Sequence, residues 1–350
     1  MTTPPSPHAD AQTVAAARLL LSQMGISASD LFSPTVEVPT FAQVIPEVRK
    51  QLKQGTLRTY NTHFEHLLSA YADHRLDELT QPQLEGLARK IQAKARVDRA
   101  SRGGGSAVEH FISACRCVYR YAEAHGWIRR ADNPARGLVM PNRRPSNRFA
   151  IPSPRLAAIC AVAAAGGNDP ELDTLVLRLH IETACRRSGA LALRPHDLDP
   201  DQCLVYLREK DGTDRWQPVS PTLMRHLLAH AAERGSARSE QLLRYRSRRA
   251  ITRRRYDYLW YRIGEDLAWV ATQGVTAHWL RHTTLTWVER TFSYAVAREY
   301  AGHRSKNTGT TATYVKADLH EVALALATLT NEPHPLAPAY RPRVHQSLVP

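Results

Sequence analysis

No run of about 18 apolar residues occurs in this 350-residue chain, so nothing in it reads as a membrane span. The start, MTTPPSPHADAQ, has neither a basic n-region nor a long apolar stretch, so it does not read as a secretory signal, and a cytosolic protein is expected. Cysteine is scarce: Cys115, Cys117, Cys160, Cys185 and Cys203 are odd in number and contain no C-x-x-C pair. That pattern argues against a disulfide framework and against a zinc finger, and leaves most of them as small buried hydrophobes. Lysine is scarcer still. Of 47 basic residues only seven are lysine (Lys50, Lys53, Lys90, Lys94, Lys210, Lys306 and Lys316), and between 95 and 305 Lys210 stands alone. No internal repeat is visible.

Hydrophobic residues make up 43% of the chain, enough for the cores of two domains. Net charge is +14. Such an excess points to a polyanionic partner, with nucleic acid ahead of an anionic membrane surface because no basic amphipathic anchor helix stands out. A merely solvated basic surface is the plainer alternative.

Residues 1–40 read as a flexible lead with one short helix, AQTVAAARLLLSQMG. Residues 41–132 read as a small all-helical domain. In it, Leu57, Tyr60, Phe64, Leu67, Leu68 and Tyr71 recur with helical period, and Thr80 is an N-cap followed by a first-turn proline. SRGGGS is a loop, and AVEHFISACRCVYRYAEAHGW is a further amphipathic helix ending near Gly126. Residues 133–154, with prolines, asparagines and arginines including Arg143 and Arg144, read as a basic linker. It either is simply solvated or lies along a phosphate backbone. Residues 155–330 form a second, mostly helical domain with one hairpin, CLVYL and RWQPV around Asp211-Gly212. The tail, 331–350, is proline-rich and expected to be poorly ordered. The predicted fold class is thus mainly α, with a small β-hairpin or sheet in the second domain.

The segment TAHWLRHTT places His278 and His282 four residues apart, on one face of a helix, which is the spacing of a zinc pair. Arg281 between them would repel a metal ion, and the glutamate of H-E-x-x-H is missing. The same arginine would welcome a phosphate, so no metal is expected and His282 is read as a structural hydrogen-bonding residue. Three other pieces belong with it: TACRRSGALALRPHDLD, with Arg186 and Arg187 near a helix end; Lys210 beside the hairpin turn; and AGHRSKNTGTTATYVKAD, in which Gly302-His303 precedes Tyr314.

At these residues the chain resembles the tyrosine recombinases, the phage-integrase family. That family has an arginine in T-G-x-R-x-S-E-x-x-x-L, a lysine in a β-hairpin, H-x-x-R, G-H, and then a tyrosine nucleophile. Arg186, Lys210, His278 with Arg281, His303 and Tyr314 appear here in that order, and the resemblance covers about 41–330. It implies a helical core-binding domain followed by a catalytic domain. The departures are Gly189 in place of the usual glutamate, Pro195 where tryptophan is common, Ala301 for leucine, and a spacer from His303 to Tyr314 about two residues longer.

The chemistry also follows from the residue types. Two arginines clamp non-bridging phosphate oxygens with bidentate, permanent charge, and donors fixed around developing charge are usually the largest catalytic term. His278 and His303 add hydrogen bonds, and either could manage a proton. Lys210 suits a general acid for the leaving 5′-oxygen, because lysine can release a proton and arginine cannot. Tyr314 would attack to form a phosphotyrosine bond that stores the energy of the broken strand, so neither a metal nor any other cofactor is needed. Tyr294 and Tyr300 are its nearest rivals, and both read as parts of a packed helix.

Double-stranded DNA recombination sites are the partner expected. RYRSRRAITRRRYDYLWYR offers Arg248, Arg249, Arg253, Arg254 and Arg255 to phosphates, and the front domain offers Arg58, Tyr60 and Asn61. The helix 317–330, with Leu319, Val322, Leu326 and Leu329, either packs on its own domain or docks on a neighbour in a homo-tetramer on two duplexes. The leading reading is a site-specific recombinase, cytoplasmic and nucleoid-associated, that integrates or excises a mobile element. A lead too short for a separate arm-site domain favours a simple recombination site. A type IB topoisomerase, a catalytically inactive DNA-binding regulator and a metal-dependent hydrolase are the alternatives.

Overall fold

A computed structural model describes residues 11–26, 37–95, 104–142, 148–209, 213–302 and 317–337. The chain divides into two compact units, Met1–Arg144 and Pro145–Pro350. None of the described helices is long and apolar enough to cross a membrane. All five cysteines are free thiols, with Cys115, Cys185 and Cys203 buried.

In the first unit the lead helix is α1 (Ala11–Gln23), which leaves Leu19 and Leu20 exposed. The body consists of α2 (Phe41–Gln51), α3 (Gln54–Tyr71), α4 (Gln81–Lys94) and α5 (Gly105–Ala124). Two of these starts are built alike. The Gln43 Oε1 atom accepts from the Thr40 backbone N–H at 2.8 Å, and Gln83 Oε1 does the same for Thr80 at 2.8 Å, so each helix satisfies its entry residue. The core is apolar and aromatic: Phe41, Ile45, Phe64, Leu67, Leu84, Phe111 and Tyr119 are fully buried. The Tyr119 hydroxyl donates to Leu76 O at 3.0 Å, which removes the cost of burying it. Gly126, at φ +71, turns the chain after α5.

The expected linker 133–154 is not free along its length. Asn133 donates to Glu123 Oε1 at 2.8 Å, Arg116 donates to Leu138 O at 2.6 Å, and Ala135 and Leu138 are buried in the first core. At the far end Ile151 is buried in the second core, and its N–H donates to Thr283 Oγ1 at 3.0 Å. Apolar residues within a polar, proline-rich stretch were enough to attach both ends.

The second unit runs α6 (Ser153–Ala165), α7 (Pro170–Thr183), α8 (Arg187–Ala192), β1 (Leu198–Asp199), β2 (Leu204–Leu207), β3 (Arg215–Pro218), α9 (Pro221–Glu233), α10 (Arg253–Asp266), α11 (Ala268–Gln273), α12 (Ala277–Thr291), α13 (Tyr294–Tyr300) and α14 (Leu319–Thr330). The strands pair antiparallel in the order β1-β2-β3, with Leu204 opposite Pro218 and Leu207 opposite Arg215. The hairpin's strands are those the sequence predicts, and β1 is an addition. Helix α7 is the hub. Its Leu172, Leu175, Val176 and Leu179 are buried, and Thr284 on α12 donates to Ile181 O at 2.7 Å.

Helix α14 packs on its own unit in this structure, with Val322 and Leu326 buried and Leu319 and Leu329 half-buried. The first residues of the expected tail are seated rather than loose. Glu332 accepts from Arg178 at 2.7 Å and from the Thr222 N–H at 3.2 Å, and His334 is buried with Nε2 3.2 Å from Cys203 O.

Candidate active site

Helix α7 stops at Thr183 because Ala184 takes a left-handed conformation (φ 48), while its N–H still closes on His180 O at 3.0 Å. The turn that follows is tied from below. His180 is fully buried, with Nδ1 3.0 Å from Cys185 O and Nε2 2.9 Å from the Tyr256 hydroxyl, and burial holds its pKa down at about 4, so it stays neutral. This turn delivers Arg186 to the N-terminus of α8.

Arg281 reaches the same place from α12. Its guanidinium is 4% exposed and donates to two backbone carbonyls, Ala184 O and, at 2.7 Å, Ala301 O. Burial pushes its pKa down to about 10; the nearby Glu209 carboxylate opposes that shift, and Arg186 and Arg215 reinforce it. His278, one turn earlier on α12, is exposed. Desolvation lowers its pKa, and the charges of Arg148, Arg281 and Arg186 lower it further. Both candidate arginines therefore act on this imidazole, which is neutral at pH 7 and able to accept a proton. His282 sits with Nδ1 3.3 Å from Thr286 Oγ1, the structural role expected of it.

Two residues that sequence reasoning passed over complete the cluster. Glu209, its side chain fully buried at the end of β2, accepts from the Arg186 backbone N–H, from Arg186 Nη1 at 2.6 Å and from Arg215 Nη1 at 3.1 Å; Arg281 Nη1 stands 3.9 Å away. Burial raises its pKa, but Arg215, the Arg186 N–H, Arg281 and Arg186 more than reverse this, so the carboxyl lies below its ordinary value and is ionised at pH 7. Arg215 is 9% exposed, donates Nε to Gln217 at 3.0 Å, and has its buried Nη2 without an acceptor among the described residues. A buried donor left unpaired costs about 1–3 kcal/mol, which an incoming oxyanion would offset. Three guanidinium groups around one carboxylate leave two net positive charges, a ready cradle for a phosphodiester.

Lys210, His303 and Tyr314 lie outside the described residues, as do Arg143 and Arg144. Of the tyrosine's rivals, Tyr300 is buried with its hydroxyl on Glu182 O, as a packed helix predicts, but Tyr294 is 64% exposed. It begins α13, where the helix's buried face has not yet closed over it.

The basic run 244–262 splits into two kinds of arginine. Arg248, Arg249, Arg253 and Arg254 are exposed. Arg255 is not available to phosphates in this structure: it is 2% exposed and donates to Asp173 Oδ1 at 2.7 Å, Asn168 Oδ1 at 2.5 Å and Asp169 O at 3.0 Å. The signal was present in the periodicity, since Arg255, Leu259 and Ile263 share the buried face of α10. In the first unit Arg58 and Asn61 are exposed, and Tyr60 is half-buried edge-on to Phe64.

A mostly helical domain with three guanidinium groups gathered on one buried carboxylate, and a histidine within reach of their charge, is suited to holding a phosphodiester. Residues 154–321 match the phage integrase family, so this part of the chain is a domain of the tyrosine recombinases, which cut and rejoin DNA strands at specific sites. It is 25% identical over 275 residues to tyrosine recombinase XerC of Chromobacterium violaceum, covering 77% of this chain and 86% of that one. XerC of Xanthomonas campestris pv. campestris is 26% identical over 285 residues, covering 79% and 83%. In fold it is similar to a lambda integrase tetramer bound to a Holliday junction (TM-score 0.59, 16% identity, 88% and 87% covered). It is likewise similar to the Tn1549 transposon integrase in complex with a circular intermediate DNA (TM-score 0.59, 13% identity, 80% and 95% covered).

Proposed function

We propose that this recombinase cleaves DNA through a covalent 3′-phosphotyrosine at Tyr314 and serves the integration or excision of a mobile element. The observation that carries the chemistry is the meeting of Arg186 and Arg281, 95 residues apart in sequence, on one buried carboxylate. In this reading the two arginines hold the non-bridging oxygens, and Arg215 Nη2 offers a further donor. His278 and His303 hydrogen-bond the phosphate and handle the phenol's proton, and Lys210 protonates the leaving 5′-oxygen. The Tyr314 oxygen bonds to phosphorus as the 5′-oxygen leaves. Rejoining reverses the step, and no metal or ATP enters it.

Exposed Arg248, Arg249, Arg253 and Arg254, with Arg58, Tyr60 and Asn61 of the first unit and Arg143 and Arg144 of the basic linker sequence, supply phosphate contacts. A homo-tetramer on two duplexes is the working assembly, acting on cytoplasmic, nucleoid-associated DNA. The test is a nicked suicide substrate in excess EDTA. Peptide mapping should find the 3′-phosphate on Tyr314, and Tyr314→Phe should lose the adduct while keeping duplex binding. An adduct on Tyr294, or one that requires a divalent metal, would refute the assignment. For the biological role, a circular excised element detected across the repeats flanking the gene is expected.

A further inference from the structure

Gly189 stands where the family's T-G-x-R-x-S-E segment ends in an acid, and the site holds a different acid. On α8, a Cβ at position 189 would lie 3.0 Å from Glu209 Cγ and 3.1 Å from its Oε1. The space that a side chain at 189 would occupy is therefore taken by Glu209, which enters from the end of β2. We propose that Glu209 is the positioning carboxylate of this recombinase's arginine pocket, admitted by the glycine at 189, so that the two positions have exchanged a single acid.

The geometry gives Glu209 a task that a generic buried acid does not have. One oxygen, Oε1, takes the backbone N–H of Arg186, fixing the turn from which that side chain departs. The other, Oε2, takes Arg186 Nη1 at 2.6 Å and Arg215 Nη1 at 3.1 Å and faces Arg281 Nη1 at 3.9 Å. Without it, three guanidinium groups in one pocket would repel one another and spread before any substrate arrived. With it, they are assembled in advance, and Arg186, 33% exposed, keeps further donors for the phosphate. Glu209 also anchors the neck of the hairpin, since its own N–H donates to Asp214 Oδ1 at 3.2 Å, and it immediately precedes Lys210 in the chain. It touches no substrate in this account and acts through the arginines.

The inference rests on the reading of Arg186 and Arg281 as a phosphate clamp, and the experiment separates the two. Single-turnover cleavage of the suicide substrate is measured across DNA concentrations for wild type, Glu209→Gln, Gly189→Ala, Gly189→Glu, Glu209→Gly and the double variant Gly189→Glu with Glu209→Gly. Glu209→Gln should lower the rate at saturating DNA by ten- to a hundredfold while the half-saturating concentration moves less than threefold. Gly189→Ala, which asks Glu209 to yield a few tenths of an ångström in a protein that still melts near the wild-type temperature, should slow cleavage several-fold. The double variant should cleave at least tenfold faster than either of its parents, because the acid returns from the other wall. Wild-type rates in Glu209→Gln and Gly189→Ala, or a double variant no better than its worse parent, would overturn the exchange. Absence of any adduct in the wild type would instead remove the clamp reading beneath it.

Discussion

The two units bury different things. Among its described residues the first unit buries His63 and Asn133 but no carboxylate or guanidinium, and its centre is built from phenylalanine, leucine, isoleucine and tyrosine. The second buries Asp169, Asp173, Glu182, Asp197, Glu209, Arg234, Arg255 and Arg281. Apolar burial alone holds helices together, so the charges of the second unit call for another reason. Buried ion pairs roughly break even against well-packed hydrophobes, and their use is to hold a group in one place. Here the groups so held include the arginines of the candidate site. A unit that only has to keep its shape can do it with hydrocarbon, whereas a unit that must present cations at fixed points needs buried counter-ions.

The largest expected effect tests that contrast directly. Arg255→Leu leaves Asp173 with Arg262 as its remaining partner, at 3.1 Å, and should destabilise the second unit by about 3–5 kcal/mol. Removing Arg49 from its pair with Glu65 on the surface of the first unit should cost under about 1 kcal/mol. Urea melts of the two variants read both, and equal losses would erase the distinction. Next comes catalysis: Arg281→Lys cannot bridge Ala184 O and Ala301 O while facing a phosphate, and strand cleavage should fall by about 10²–10³-fold. Duplex binding, followed by gel shift, should stay within a few-fold of wild type.

Acid should blur the comparison, because both units bury histidines whose pKa burial lowers: His63 in the first, and His180, His230 and His334 in the second. His63 and His180 both have pKa values lowered to about 4 by burial. Their folded values lie below the unfolded value near 6.5, so the unfolded chain takes up protons first. The stability they secure is complete above pH 6.5 and is lost as pH falls toward 4. For His180 the loss at pH 5 is roughly 2 kcal/mol. Melts at pH 7 and pH 5 check this, and His180→Gln should shrink the difference by its share, with His230 and His334 still contributing. The smallest effect separates neighbours in one run. Arg253→Ala and Arg254→Ala should leave stability within about 0.5 kcal/mol yet lower the salt slope of DNA binding by about one each.

Much of this was legible where the signal is local. Thr80 with Pro82, the Asp211-Gly212 hairpin strands and the His278-to-Arg281 spacing depend on residues within one or two turns of each other, and the structure builds the elements they predict. The limits appear where neighbours come from afar. Glu209 looks like an ordinary hairpin residue until β2 is laid beside α8 and α12, for only then do Arg186, Arg215 and Arg281 reach it. Charge weighed along the run makes Arg255 look like its exposed neighbours, whereas the helix turns it inward onto Asp173, 82 residues away. The ends of the linker and the seat of Glu332 were lost for the same reason, since single apolar or acidic residues in polar surroundings carry no period.

Arg281 is fastened to two loops at once, through Ala184 O on the turn that carries Arg186 and through Ala301 O two residues before His303. A side chain shared in this way couples events at either end. If a phosphate draws the guanidinium and loosens its hold on Ala301, then anything that holds the Ala301 turn in place weakens the grip on phosphate by the same factor, since the free energies around such a cycle must close. On the proposed roles, phosphate binding and the turn at Ala301 would be linked through this one cation, and each would report on the other's state before any bond is broken.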